Sequence, residues 1–409
     1  MRIVGRRTLL VGSAALISSG SVPTRARAAA RCPDQEAAWI PSGEAVRDLP
    51  RLMRVAGVPG AAIAVVDRGR LAWSGGFGVT NVLTRDPVRE DTLFEAASMT
   101  KPVFAYVVMR LADEKRLDLD TPLVAYRRPD HLGDDPNLAR ITARNVLEHS
   151  TGLPNWASGP LVTSSAPGSG YTYSGEAFIW LQLVVEQIMG MGLGAVMQAK
   201  LFDPAGMARS SFGWDEAIAK SAVFGHSEPP EGETTLPPQP TRELGDRLLR
   251  VATKRGKPIA SWTYEDSVAA MREIDPGTPP STHDLLVNSA GGLLTTASDY
   301  AKFMALMMDR PQRGAWEISD AARRAMLTPR LDVRGRDIAR GLGWEIEQAP
   351  TGPLFQHSGS NYGIFKTLGV GDARSGRAIV VLTNAANGNA LAARIGRDAT
   401  GIDRLKSLI

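Results

Sequence analysis

The chain has 409 residues, of which 43% are hydrophobic, 22% charged and 6% aromatic, a composition that excludes disordered and fibrous classes and leaves room for two or three packed regions. Its single cysteine, Cys32, excludes internal disulfides and a cysteine-based metal site. The formal charge of +4 does not imply a polyanion partner, because Arg2, Arg6, Arg7, Arg25 and Arg27 all lie in residues 1–30 with no acid among them, and the remainder is close to neutral.

Residues 1–30 read as an export leader, with a charged start from Met1 to Arg7, an apolar run from Leu9 to Ile17, and Ala26 and Ala28 at cleavage-site spacing. The Arg6-Arg7 pair followed by Thr8, Leu9 and Leu10 resembles a twin-arginine signal, although Gly5 stands where Ser or Thr is usual and no Lys follows the leucines. A periplasmic or secreted location is expected. The apolar run is about half of what a bilayer span needs, so no stable membrane insertion is expected once the leader is removed. Arg31 before Cys32 argues against lipid attachment.

From Glu44 to Ala56 apolar residues recur at helical spacing, and Pro59 ends the pattern. Ala61 to Val66 and Leu71 to Trp73, joined through Asp67-Arg-Gly-Arg70, read as a β-hairpin. From Ser98, the spacing of Val103, Val107 and Leu111 predicts an amphipathic helix with Pro102 in its first turn. Thr142 to Asp215 is mostly helical in pattern, whereas Glu228 to Thr241 holds five prolines and reads as a loop. Behind it, Arg247, Arg250, Lys254, Arg255 and Lys257 form a basic stretch without interleaved stacking aromatics, so it reads as a solvated helix face and no nucleic-acid partner is expected. Ile364 to Val370 and Ala378 to Thr383 form a second hairpin, followed by a closing helix. No internal repeat is present. The predicted organisation within residues 31–409 is a sheet domain from about 45–140 and 285–409, completed by both ends of the chain, with a helical subdomain of about 141–284 inserted.

Histidines stand at 131, 149, 226, 283 and 357, with no metalloprotease spacing among them, and G-x-S-x-G, G-x-x-x-x-G-K-S/T and G-x-G-x-x-G are all absent. Neither a metal nor a cofactor is expected. What remains is Ser98-Met-Thr-Lys101. Positions i and i+3 of a helix share a face, so the Lys amine reaches back to the Ser hydroxyl and can accept its proton, while the helix N-terminus offers free N–H groups to an oxyanion. The plain alternative for this pair is an N-cap Ser followed by a surface Lys.

The motif has company: Phe94-Glu-Ala-Ala-Ser-Met-Thr-Lys-Pro102, Leu147-Glu-His-Ser-Thr-Gly-Leu-Pro154, Tyr171-Thr-Tyr-Ser-Gly175, Ala290-Gly-Gly-Leu-Leu-Thr295 and His357-Ser-Gly359. In order and rough spacing, over residues 45–395, the chain resembles the class C β-lactamase-like serine hydrolases, which include family VIII carboxylesterases, D,D-peptidases and D-aminopeptidases. The resemblance implies an α+β fold of the β-lactamase and penicillin-binding-protein type, an antiparallel sheet flanked by helices with an inserted helical subdomain. It makes Ser98 the acylated nucleophile, Lys101 its partner and Tyr173, rather than Tyr171, the phenol that shares proton transfer. It also places His357, Gly359 and Ser360 at the substrate strand, with the backbone N–H groups of Ser98 and Ser360 as the oxyanion hole. His149 is expected to order a loop, and Trp156, Trp344 and Tyr362 to line a pocket or to pack. Met189 and Met191, among glycines, read as helix-end filler.

Two positions depart from the family pattern. Gly175 stands where Asn is usual and offers no amide, and His357 replaces a Lys, so the strand motif carries an imidazole that is mostly neutral at pH 7. Both changes remove features suited to carboxylate-bearing amides and leave the acylation machinery in place. The expected activity is therefore cleavage of a small-molecule ester, with a penicillin-recognising D,D-peptidase or β-lactamase as the alternative and a catalytically idle envelope binding protein as a third reading. The physiological substrate and the oligomeric state have no signature in the sequence.

Overall fold

The computed structural model describes residues 39–228, 232–311, 313–333, 338–349 and 352–402; the leader and Cys32 lie outside them. The longer helices are α1 (Gly43–Val55), α2 (Thr100–Asp113), α3 (Gly175–Met189), α4 (Pro240–Arg255), α5 (Tyr264–Ile274), α6 (Ala297–Leu306), α7 (Asp320–Leu327) and α8 (Gly388–Thr400). The strands are β1 (Gly60–Asp67), β2 (Arg70–Gly78), β3 (Phe94–Glu95), β4 (Leu294–Thr295), β5 (Leu331–Asp332), β6 (Ile338–Arg340), β7 (Glu345–Ala349), β8 (Gly352–Asn361), β9 (Phe365–Asp372) and β10 (Arg377–Thr383).

Eight strands form one antiparallel sheet in the order β2-β1-β10-β9-β8-β7-β6-β5. Both hairpins predicted from the sequence are present. In the first, Arg68 and Gly69 have φ of 50° and 71°, the positive pair that the type I′ turn requires. β1 lies inside the sheet beside β10, with Ala61 opposite Thr383 and Val66 opposite Ala378. Its near-continuous apolar run follows, because a central strand is buried on both faces. Ala61, Ile63 and Val65 pack with Leu49 and Met53 of α1 and Leu391 and Ala392 of α8. Ala62, Ala64 and Val66 face the larger core built on α2, α3 and α6.

Two expectations need correction. α2 was expected to be amphipathic, yet from Thr100 to Leu111 every residue except Arg110 is buried. It runs through the middle of the molecule, between sheet and helices, and has no solvent face to mark. The stretch from Thr142 to Asp215 is helical at Ala143–Leu147 and again from Gly175, but residues 148–174 are irregular. Gly152, Pro154, Gly159, Pro160, Pro167, Gly168 and Gly170 interrupt any helical hydrogen-bond ladder there. The proline-rich loop ends at Gln239, since Pro240 already opens α4. The basic stretch beyond it is a paired helix face: Lys254 and Arg255 meet Glu273, and Lys257 meets Asp266.

Candidate active site

Ser98 sits in a tight turn, Ala97–Met99, that runs directly into α2. Ala97 holds φ at 50°, a conformation that costs a non-glycine residue energy and persists where packing over-determines it. The packing comes from β8. A Cβ on Gly359 would stand 2.4 Å from Thr367 Oγ1 and 2.5 Å from the Ala96 carbonyl, and Thr367 Oγ1 donates to that same carbonyl at 3.0 Å. Only glycine lets strand and turn approach so closely, which is how Ser98 and Ser360 come to line one cleft.

One turn along, Lys101 Nζ donates to Ser98 Oγ at 3.2 Å and to the Ala290 carbonyl at 2.7 Å. The side chain is 1% exposed and forms no ion pair among the described residues. Burial, helped by the charge of Arg340, pushes its pKa down to about 7. The tool of this residue is therefore a lone pair as much as a charge.

Tyr173 is hydrogen-bonded to Ser98, and burial pushes its phenol up to about 12. Lys101 Nζ lies 4.7 Å from the centre of its ring. Tyr171 has a different task, because its hydroxyl accepts from Arg340 Nη2 at 2.7 Å. His149 stacks on Tyr173 with ring centres 4.3 Å apart, and its Nδ1 accepts from the Ser174 N–H at 3.1 Å. Burial, then the charges of Arg340 and Lys101, hold His149 well below the usual imidazole range. It orders the 148–174 loop as a neutral ring.

At Gly175 the missing amide has been replaced by something else. A Cβ there would lie 2.5 to 2.7 Å from the six-membered ring of Trp156, so the indole fills the space. Asn155, next to it, accepts from the Gly175 N–H through Oδ1 at 2.9 Å and lines both cavities beside Ser98. His357 is buried, with Nδ1 2.7 Å from the Ser358 carbonyl. A carbonyl can only accept, so Nδ1 carries the proton, and Nε2 has no partner among the described residues. Burial, then Arg340 and Lys101, push its pKa well below the ordinary value. The same burial favours the neutral imidazole, a point the sequence alone left open.

An open cleft of about 1320 Å³, lined by Ser98, Tyr173, His357 and Ser360, meets a pocket of about 90 Å³, lined by Lys101, Trp156, Tyr362 and again Ser98. Trp344 belongs to neither; it is fully buried and stacks on Phe303. Three cations of the cleft, Arg330, Arg340 and Lys366, escaped sequence reasoning. Arg340, on β6, is 4% exposed and pairs with Glu345 at 2.8 Å. Lys366, on β9, faces Ser360 across the strand pair and donates to its Oγ at 2.9 Å. None of the three lies in a recognisable motif; the signal that would have found Lys366 is its register opposite Ser360, which needs the strand pairing.

Residues 47–400 match the family described as Beta-lactamase. The chain is 27% identical over 367 residues to esterase EstB of Burkholderia gladioli, covering 80% of this chain and 86% of that one. It is 30% identical over 193 residues to a D-aminopeptidase of Brucella anthropi, covering 43% of this chain and 36% of that one. The fold is similar to that of D-alanine carboxypeptidase AmpC from Burkholderia cenocepacia, with a TM-score of 0.62 at 19% identity over 87% of this chain and 99% of that one.

Proposed function

The chain belongs to the Beta-lactamase family of serine hydrolases, and on that footing we propose that it hydrolyses small esters through an acyl-enzyme on Ser98. The observation that carries the reading is the Ser98 hydroxyl shared by a buried lysine titrating near 7 and a buried tyrosine. Neutral Lys101 takes the Ser98 proton as Oγ attacks the carbonyl carbon. The tetrahedral oxyanion is held by the backbone N–H groups of Ser98 and Ser360. As the carbon–oxygen bond breaks, Tyr173, backed by Lys101, returns the proton to the departing alkoxide. Water then attacks the acyl-Ser98 ester by the same route in reverse, releasing the acid.

Ester rather than lactam cleavage is supported by Trp156 where an amide would contact an acylamino group, and by similarity to an esterase over most of both chains. The test is hydrolysis of a short-chain 4-nitrophenyl ester and of a chromogenic cephalosporin side by side. Ester turnover that falls roughly 10³-fold or more in Ser98→Ala, with little cephalosporin loss, is the expected result. Dominant cephalosporin opening would replace the esterase reading with the penicillin-recognising one, and a fully active Ser98→Ala would remove the acyl-enzyme altogether. The leader in residues 1–30 supports export of this enzyme; N-terminal sequencing of the protein recovered outside the cytoplasm tests it.

A further inference from the structure

Among the described residues lining the open cleft, the cations differ in their compensation. Arg340 is matched by Glu345 at 2.8 Å and Arg330 by Glu148 at 3.1 Å. Lys366 forms no ion pair with any described carboxylate; its one hydrogen-bond partner there is the Ser360 hydroxyl, at 2.9 Å. Its position is built. The stem leaves β9 directly opposite Ser360 and is packed at its base by the start of α8, where a Cβ on Gly388 would come within 2.8 Å of Lys366 Cβ. The ammonium is half-buried, and desolvation holds its pKa below the ordinary lysine value. A partly desolvated cation without a counter-ion is costly to keep and gains most from a charge-assisted hydrogen bond to an incoming anion.

The cleft also shows which part of a substrate would meet it. Tyr173, the proton donor to the departing group, lines the open cleft together with Lys366 and His357 and not the small pocket, whereas Lys101 and Trp156 line the small pocket and not the cleft. A departing portion protonated by Tyr173 therefore lies in the cleft that Lys366 lines. We propose that Lys366, with the Ser360 hydroxyl, is an anion subsite for a carboxylate carried on the leaving portion of the substrate, so that the preferred substrates are esters of acidic alcohols or phenols. The inference rests on the ester reading above. It moves the positive charge that the strand motif lacks to the neighbouring strand.

The probes are 4-acetoxybenzoate and its methyl ester, which differ in charge at the leaving group and share the acetyl. In Lys366→Met the preference for the acid, expressed as the ratio of kcat/KM values, falls about tenfold, mainly through KM. Lys366→Arg keeps the preference within about threefold, and added salt narrows it in the wild type. An unchanged ratio overturns the proposal, as does an equal loss on both esters, which would mean that Lys366 merely props Ser360. Dependence on Lys366 confined to phenyl hydrogen succinate, with its carboxylate on the acyl side, overturns the placement. Calorimetric titration with 4-hydroxybenzoate reads the subsite without turnover. Binding that weakens about tenfold in Lys366→Met in a protein that cleaves neither ester leaves the subsite standing and removes the ester reading. Normal ester turnover with no binding of the acid does the reverse.

Discussion

Lys101 shows how one residue's chemistry depends on what surrounds it. In water its amine would be charged at every physiological pH, but in this core it titrates near 7. Activity on a neutral ester should therefore climb about tenfold per pH unit below pH 7 and level off above it, because the lone pair is the working form. His149 and His357 are held well below the ordinary imidazole value and Tyr173 is pushed to about 12, so none of them adds a limb between pH 7 and 9. A profile flat from pH 5 to 9 would show that Lys101 is not the base, and Lys101→Arg, which cannot lose its proton, should be inactive throughout. Gly175 makes a second case. Asn at this position would drive its Cβ into the Trp156 indole, so Gly175→Asn should lower Tm by several degrees, and Trp156→Ala in the same chain should restore most of it. Equal melting of the single and double variants would mean that the indole is not what excludes the side chain.

The contact between the Ser98 turn and β8 depends on one hydrogen atom. Gly359→Ala places a methyl group against Thr367 Oγ1 and the Ala96 carbonyl, and backbone atoms cannot swing aside. We expect a loss of about 1–3 kcal/mol in stability and a fall in kcat of roughly 10²-fold, since small displacements at a nucleophile are costly. Full activity with normal denaturation would show that the strand is free to shift. This contact explains why the elements were easier to read than their junctions. The hairpin of β1 and β2, the hairpin of β9 and β10 and the helix after Ser98 are each written in local spacing and turn residues. The burial of α2 on all sides and the irregular wall from 148 to 174 are set by neighbours far along the chain.

Arg340 and Glu345 join parts of the molecule that no local pattern relates. Arg340 lies 169 positions from Tyr171, yet its guanidinium holds that hydroxyl and also faces the Tyr173 ring, 5.7 Å from its centre. Removing the cation alone, as in Arg340→Met, takes the ion-pair partner away from a buried carboxylate and should cost about 3–5 kcal/mol, whereas Arg340→Met with Glu345→Leu should recover most of it. Urea midpoints of the two variants decide the matter, and equal midpoints would mean that the pair is not coupled. The same long-range assembly governs the sheet, where β1 and β10, from opposite ends of the described chain, are neighbours along six residue pairs.

By itself the sequence determined the family and the fold class and singled out Ser98, Lys101 and Tyr173, which the fold brings together, because those rest on spacing within a turn, on strand periodicity and on motifs that recur in order. It also showed what was missing, an amide at 175 and a fixed charge at 357. What stands in their place was decided by the tertiary structure. Trp156 reaches the space above Gly175 across a loop, and Lys366 reaches Ser360 across a strand pair. Arg340 enters the cleft wall from another strand altogether. Such substitutions move a group through space while leaving its usual position in the chain empty, so a one-dimensional pattern records the loss and the packed fold records the replacement.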